Sequence, residues 1–205
     1  MTAPLVVVAS GNRGKLRELR AILRGLPFAL RPQSDFGLES PEETGSTFVE
    51  NALLKARHVC RETGFAAIAD DSGLAVDALD GAPGIRSARY AGDDADDARN
   101  LQKLLAELRA FPDDALSACF HCAAVWLRAA DDPQPVVAEA RWCGRITREP
   151  RGDQGFGYDP VFYLPQHRCT AAQLPPSIKN EISHRARAFG ELRGHMQAPA
   201  NVAAR

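Results

Sequence analysis

The sequence carries almost no net charge, since 25 lysines and arginines stand against 26 aspartates and glutamates. No overall field would draw it to nucleic acid or to a membrane surface, so we expect neither as a partner. Long apolar runs are also missing, and none approaches the roughly 20 residues that span a bilayer. The first ten residues lack the basic start and apolar stretch of a secretory signal, and we therefore expect a cytoplasmic protein.

Cysteine is scarce, with five residues in 205. The odd number, in a chain expected to be cytoplasmic, argues against a disulfide framework. Cys119 and Cys122 have a spacing found in zinc sites, but the apolar run 116–127 around them predicts a strand. Residues three apart on a strand point to opposite faces, so the pair is poorly placed to hold one ion. We predict small, buried, apolar cysteines instead.

What the chain does have is the composition of an ordinary globular domain, with 45% hydrophobic and 25% charged residues. Helices and strands are mixed along it, which predicts an α/β fold. Thr47 and Glu50 have the spacing of a capping box at a helix start. The predicted strands are 5–9, 28–30, 66–69, 116–128, 136–147 and 161–164. The predicted helices are 15–24, 47–64, 94–110 and a helical region from about 170 onward.

A loop suited to phosphate follows the first predicted strand, with the sequence Ser10-Gly11-Asn12-Arg13-Gly14-Lys15. Its two glycines let the backbone turn tightly and approach a ligand. The N–H groups at the helix start attract anions, and Asn12 and Lys15 add side-chain donors. The glycines lie too close together for the P-loop of the large nucleotidases, and an ordinary turn with solvated charges is the alternative.

Two neighbouring carboxylates follow the third predicted strand, in Asp70-Asp71-Ser72-Gly73. A regular strand would turn them to opposite faces, whereas a turn that begins after Asp70 would let them converge. Carboxylates at such an edge suit Mg²⁺, which prefers oxygen ligands, and such a site can activate water for attack on phosphorus. A polar turn in which aspartate bonds nearby N–H groups is the alternative.

Further charged residues lie in the loop 35–46 and on the helix after it. Glu42 and Glu43 belong to the loop, while Asn51 and Lys55 are four residues apart and share one helix face. That face could present a cation to a phosphate. Ordinary solvated helix charge is the alternative.

The glycines around Phe156, in Gly155-Phe156-Gly157-Tyr158-Asp159-Pro160, would let its ring stand clear of the backbone and stack on a base. A buried turn, with Phe156 and Tyr158 packed in the core, is the alternative. Near the C-terminus, Lys179 and His184 would lie about 140° apart on one unbroken helix. A break near Ser183 would make Ser183 an N-cap and place His184 and Arg185 at a helix start.

Taken together, these segments resemble the inosine triphosphate pyrophosphatase family, which removes dITP, ITP and XTP from the nucleotide pool. The resemblance runs from Val6 to about Leu192, and it is specific because several modest strings occur at family-like spacing. Ser10 stands where threonine is common, and Gln154 replaces a frequent glycine. The matching strings are SGNxxK at 10–15, TFxENA at 47–52, DDSGL at 70–74, GAPGIxSARY at 81–90, GFGYDPxF at 155–162 and SHR at 183–185.

The resemblance implies one domain over residues 1–205, built as an elongated mixed central sheet flanked by helices, with two lobes and an active-site cleft between them. It also implies a homodimer and a Mg²⁺ cofactor. Asp71 would be the catalytic carboxylate and a metal ligand, and Glu42, preferred here over Glu43, would be the second ligand. The residues implied to bind substrate are Ser10, Gly11, Asn12, Arg13, Gly14, Lys15, Lys55, Ser72, Phe156, Gly157, Tyr158, Asp159, Lys179, His184 and Arg185.

Selectivity has a physical basis in this reading. Hypoxanthine and xanthine carry an oxygen at position 6, where adenine carries an amino donor. Protein donors aimed at that oxygen, from the backbone or from His184 and Arg185, would reject ATP. Two rival functions remain: a nucleotide sensor, which would keep the glycine loops and lose the carboxylates, and a phosphatase for pyrimidine or methylated nucleotides.

Overall fold

A computed structural model describes residues 3–196, and their strands form one seven-stranded sheet in the order β2-β1-β3-β4-β5-β6-β7. The strands are β1 (Leu5–Val8), β2 (Ala29–Pro32), β3 (Ala66–Val76), β4 (Ser117–Leu127), β5 (Val136–Ile146), β6 (Phe162–Leu164) and β7 (Cys169–Thr170). The helices are α1 (Arg13–Ile22), α2 (Phe48–Thr63), α3 (Asp97–Glu107), α4 (Pro176–Ile182) and α5 (His184–His195). Short 3-10 turns fill several of the connections. In the described part of the chain, no helix is both long enough and apolar enough to traverse a bilayer.

The sheet is mixed, which confirms the predicted α/β class. Strand β1 pairs in parallel with β2 and with β3, and the helices α1 and α2 lie in the two connections. Strand β6 pairs antiparallel with β5 and with β7. Because parallel neighbours need crossover connections, the chain from β1 to β3 alternates strand and helix. The two long strands β4 and β5 are neighbours in the sheet.

The described residues divide into two compact units. The first takes residues 3–71, 123–139 and 187–196, and its core is rich in alanine. Small side chains such as Ala52 and Ala56 let α2 pack closely against the strands of this unit. The second unit takes residues 72–122 and 140–186, and its core is made of leucines and aromatic rings, including Phe120, Trp142 and Phe162. The expected division of one domain into two lobes with a cleft stays a prediction.

Two predicted boundaries lie far from the observed ones, for local reasons. Strand β3 continues to Val76 instead of ending before a turn at 70–73. The last helical region begins at Pro176 instead of about 170, since residues 169–173 form β7 and a 3-10 turn. Pro175 is extended and Pro176 stands in the first turn of α4. A residue before proline avoids the helical conformation, so the helix starts at the second proline.

The expectation of no disulfide is also wrong. Cys119 on β4 and Cys143 on β5 form a disulfide, with their Cα atoms 4.1 Å apart. The two strands are neighbours in the sheet, so residues 24 apart in sequence meet. The prediction of a buried apolar thiol holds for Cys122 but not for Cys119, and Cys60 is a second buried free thiol. Burial raises the pKa of the Cys60 thiol to about 11, which keeps it protonated at neutral pH.

Candidate active site

The predicted phosphate loop connects β1 to α1 and is held by its own side chains. Asn12 is the N-cap of α1, and its Oδ1 accepts a hydrogen bond from the Lys15 N–H at 3.0 Å. Ser10 Oγ in turn accepts from the Asn12 N–H at 3.2 Å. Gly11 is exposed, and an added Cβ there would meet nothing within 4 Å. The loop therefore presents backbone and a helix start to solvent, as an anion site requires.

Lys15 extends from α1 to the third strand. Its Nζ lies 3.1 Å from Asp70 Oδ2, and the Asp70 side chain is fully buried. The ammonium group of Lys15 therefore lies beside the Asp70-Asp71 pair, although Lys15 belongs to the phosphate loop. The sequence pattern indicates carboxylates at this position but does not reveal Lys15 as the partner of Asp70.

Lys55 forms the second link between a helix and this pair. Its Nζ lies 2.8 Å from Asp71 Oδ1 and 2.7 Å from Glu43 Oε1. Asn51, one turn earlier on α2, donates from Nδ2 to Asp71 Oδ2 at 3.4 Å. The interpretation of this helix face as solvated charge is therefore wrong, because Asn51 and Lys55 are buried.

The local sequence explains why these groups converge. Thr47 and Glu50 form the predicted capping box, which fixes where α2 starts. The spacing of four residues then puts Asn51 and Lys55 on the face that meets Asp71. The loop before the helix approaches closely, since Gly45 donates its N–H to Asn51 Oδ1 at 2.8 Å.

Of the two alternatives considered at Asp70, the structure has the strand and not the turn, because residues 70–73 lie within β3. Asp70 pairs with Lys15 from α1, whereas Asp71 pairs with Lys55 from α2. Each carboxylate is therefore ion-paired to a lysine of a different helix. The charge of Lys15 also acts on Asp71, so the two ion pairs belong to one cluster.

The two glutamates of the loop before α2 differ in their surroundings. Glu43 is half-buried and ion-paired to Lys55, which brings its carboxylate next to Asp71. Glu42 is exposed. The geometry favours Glu43 over Glu42, the residue preferred from the sequence, as the partner of Asp71.

This cluster holds an excess of negative charge, with the carboxylates of Asp70, Asp71 and Glu43 against the ammonium groups of Lys15 and Lys55. Burial raises the pKa of Asp71, although Lys55 and Lys15 act in the opposite direction. Burial alone would lower the pKa of Lys55, but the surrounding carboxylates raise it. Lys55 is therefore a fixed cation, while Asp71 is a carboxylate with a raised affinity for a proton.

In the second unit, the predicted base-binding residues also contact one another. Lys179 on α4 forms a short buried ion pair with Asp159. Asp159 Oδ2 also accepts from the Phe156 N–H at 2.9 Å. Lys179 Nζ and the Arg185 guanidinium lie 5.1 and 5.7 Å from the centre of the Phe156 ring, where cation–π attraction acts.

Of the two alternatives considered for this region, the structure has the helix break at Ser183, because α4 ends at Ile182 and α5 begins at His184. Ser183 Oγ accepts from the Ala186 N–H at 3.2 Å, which makes Ser183 an N-cap. Arg185 is almost fully buried, and its Nη2 donates to Ser72 Oγ at 2.8 Å. Ser72 and Arg185, predicted as separate substrate contacts, are thus hydrogen-bonded to each other.

His184 rests on an aromatic surface that the sequence did not reveal. Its ring stacks on Phe120 at 4.8 Å between centroids, with an angle of 9° between planes. Trp142 lies 6.2 Å away at 20°. Phe120 and Trp142 come from β4 and β5, so no local pattern connects them to His184. Stacking on both sets the plane of the imidazole ring.

Tyr158 has a structural role in its loop. Its side chain is buried, and its hydroxyl donates to the Ser87 carbonyl at 2.8 Å. Burial raises the pKa of Tyr158 well above its usual value. The substrate contact predicted for Tyr158 stays a prediction, and its backbone rather than its ring would make it.

Known proteins match the chain over most of its length. The Ham1 family model matches residues 6–195. A dITP/XTP pyrophosphatase from Shigella flexneri is 57% identical over 184 residues, covering 90% of this chain and 93% of its own. A dITP/XTP pyrophosphatase from Xylella fastidiosa is 56% identical over 188 residues, covering 92% and 94%. The solved structure of a HAM1 protein from Coxiella burnetii is 49% identical, with a TM-score of 0.87 over 94% of this chain and 98% of that one. The predicted family resemblance is confirmed, and the chain belongs to the Ham1 family.

Proposed function

We propose that this protein hydrolyses non-standard purine nucleoside triphosphates, namely dITP, ITP and XTP, to the nucleoside monophosphate and pyrophosphate. The observation that carries the proposal is the match, over about nine tenths of the chain, to relatives named dITP/XTP pyrophosphatase. The Lys15–Asp70 pair, which joins the glycine loop to the third strand, and the neighbouring Lys55–Asp71 pair support it independently. Removal of non-standard nucleotides from the pool would keep them out of DNA and RNA.

A Mg²⁺ ion is proposed as the cofactor, and the excess of negative charge around Asp71 suits a divalent cation. Asp71 and Glu43 offer carboxylate oxygens next to each other, within a group where carboxylates outnumber ammonium groups. Mg²⁺ is usually held by one or two carboxylates together with water and substrate phosphates. We therefore assign Asp71 and Glu43 as its protein ligands. Once bound, the ion would neutralise phosphate charge and stabilise the leaving pyrophosphate.

The residues of the first unit suit attack on the α-phosphorus. The N–H groups at the start of α1, with Asn12 and Lys15, would hold the triphosphate. Asp71, whose pKa is raised by burial, would accept a proton from the attacking water. The water oxygen then bonds to the α-phosphorus, and the bond from that phosphorus to the bridging oxygen breaks. Lys15 would offset the charge that develops on the departing pyrophosphate.

The residues of the second unit suit the purine base. Asp159 and Lys179 fix the backbone of Phe156, whose ring can stack on a base. Stacking on Phe120 holds the His184 ring, and a hydrogen bond to Ser72 holds the Arg185 guanidinium. Both side chains can donate hydrogen bonds. Aimed at the oxygen on position 6, they would favour inosine and xanthosine nucleotides over ATP.

The proposal is tested by measuring pyrophosphate release from a panel of triphosphates with and without Mg²⁺. We expect kcat/KM for ITP, dITP and XTP to exceed that for ATP by roughly a hundredfold or more, because a required hydrogen bond is missing with adenine. Chelation with EDTA should abolish turnover, and added Mg²⁺ should restore it. Equal kcat/KM for ITP and ATP would contradict the base assignment. Binding of ITP without turnover would favour the sensor, and preference for a pyrimidine triphosphate would favour the other phosphatase.

The assignment of Glu43 as the second metal ligand has a matched control in its neighbour. We expect Glu43→Gln to raise the Mg²⁺ concentration for half-maximal activity by roughly tenfold, which corresponds to about 1.4 kcal/mol of lost binding. Glu42→Gln should leave that concentration unchanged, because its side chain is exposed. The measurement is a Mg²⁺ titration of activity at saturating ITP. The opposite pattern would restore Glu42 as the ligand.

A homodimer and a cytoplasmic location also belong to the proposal. The first rests on the family resemblance and the second on the expectation drawn in the sequence analysis. Sedimentation of the purified chain would test the dimer.

A further inference from the structure

We propose that Asp97 is a positioning residue for the loop 155–160 and thereby sets the affinity for the purine base. The inference rests on the proposed function for its effect on substrate, and on geometry alone for its effect on the loop. Asp97 Oδ2 accepts a hydrogen bond from the Gly157 N–H at 2.8 Å, across 60 residues of sequence. Asp97 does not belong to any of the motifs that carry the family resemblance.

The carboxylate of Asp97 is mounted on a firmly held helix. Asp96 caps α3 by accepting from the Arg99 N–H at 2.8 Å. Asn100 is buried one turn further on, where it donates to the Ala88 carbonyl at 3.0 Å and accepts from the Ala91 N–H at 2.8 Å. Leu104 is completely buried in the core of the same unit. Asp97 therefore reaches the loop from a support that is fixed by contacts outside that loop.

The hydrogen bond from Gly157 to Asp97 fixes the peptide that determines the orientation of Phe156. Gly157 adopts a left-handed backbone conformation, with φ of 61°. The peptide that carries its N–H joins it to Phe156, the residue whose ring faces Lys179 and Arg185. Fixing this peptide plane restricts where the Phe156 ring and carbonyl can point. Asp159 and Tyr158 hold the loop on the other side of Gly157, so Asp97 completes the support.

Loss of this hydrogen bond would act on binding rather than on chemistry. If the loop samples other conformations, only the competent fraction binds the base, and apparent affinity falls in proportion. Asp71, Lys55 and Lys15 belong to the first unit and are held by their own ion pairs. The inference therefore predicts a higher KM with kcat nearly unchanged.

A purely structural role for Asp97 is the competing explanation, because a negative charge in the first turn stabilises a helix. The adjacent Asp96 provides a matched control, since it is the N-cap of the same helix and its side chain accepts a hydrogen bond from the Arg99 N–H. Asp96→Ala should lower the melting temperature, because loss of an N-cap weakens a helix. It should leave the loop and KM unchanged.

The experiment compares Asp97→Ala, Asp97→Asn and Asp96→Ala with the unmodified protein. Hydrogen exchange of segment 155–160 is measured first, in protein without nucleotide, and KM and kcat for ITP are measured second. We expect Asp97→Ala to speed exchange of the segment and to raise KM roughly two- to tenfold, the range for one exposed hydrogen bond. Asp97→Asn keeps an oxygen acceptor, so its KM should lie close to that of the unmodified protein.

The two readouts separate the inference from the proposed function. Unchanged exchange of segment 155–160 in Asp97→Ala overturns the positioning role, whatever the substrate. Faster exchange with normal ITP turnover and an unchanged KM overturns the link to base affinity. An unmodified protein that does not cleave ITP, with exchange still dependent on Asp97, refutes the proposed function and supports the positioning role. Equal effects of Asp97→Ala and Asp96→Ala on KM would leave helix stabilisation as the explanation and would also overturn the inference.

Discussion

Replacing Asp71 by asparagine is expected to lower kcat for ITP by roughly a hundred- to ten-thousandfold, the range for losing a general base. The carboxamide cannot take the proton of the attacking water, and it is a weaker ligand for Mg²⁺. Asparagine has nearly the same size and keeps an oxygen that can accept from Lys55, which lies 2.8 Å from the carboxylate. The fold should therefore persist while turnover is lost.

The measurement is steady-state pyrophosphate release at saturating Mg²⁺, accompanied by thermal unfolding to verify the fold. Asp77→Asn serves as the control, because Asp77 follows the same strand but is exposed. That variant should retain full activity. Near-normal kcat in folded Asp71→Asn would remove Asp71 from the mechanism and with it the chemical basis of the proposed reaction.

Replacing Lys55 by methionine is expected to destabilise the protein by about 3–5 kcal/mol, the usual cost of removing one member of a buried ion pair. Methionine fills much of the same space but leaves Asp71 and Glu43 without their shared ammonium group. The Asp71 side chain is only 7% exposed, so water can solvate its charge poorly. Activity should fall as well, because a fixed cation beside the triphosphate is lost.

Urea unfolding at neutral pH measures the free energy of unfolding for this variant. Lys103→Met is the control, because its ion pair with Glu107 and its hydrogen bond to the Tyr90 carbonyl are both exposed, and exposed ion pairs contribute about 0–1 kcal/mol. The double variant Lys55→Met/Asp71→Asn should recover part of the lost stability, since one uncompensated charge is removed. An unfolding free energy for Lys55→Met equal to that of Lys103→Met would show that the Lys55 cluster is solvated and not a buried site.

Features set by neighbours in sequence were predicted well. The capping box of Thr47 and Glu50 fixes the start of α2, and the four-residue spacing then aligns Asn51 with Lys55. Ser183 as an N-cap separates α4 from α5 for the same kind of reason. In each case the backbone groups involved lie within one helical turn, so the residue types alone decide the local conformation.

The choice between alternatives at the Asp70-Asp71 pair needed the sheet. A local pattern allows both a polar turn and a strand at these residues. Pairing within the sheet extends β3 through them and directs Asp70 to Lys15 and Asp71 to Lys55. The preference for Glu43 over Glu42 likewise depends on where Lys55 lies, which neither glutamate reveals in sequence.

The sequence by itself determined the family, the α/β class, the capped start of α2 and the chemical types of the site residues, because these depend on short-range pattern and composition. Only the tertiary structure decided which of those residues meet. The Cys119–Cys143 disulfide, the stacking of His184 on Phe120 and Trp142, and the bond from Asp97 to Gly157 join residues that are distant along the chain. Such contacts are set by strand order and helix packing, which bring together residues that carry no local signal of each other.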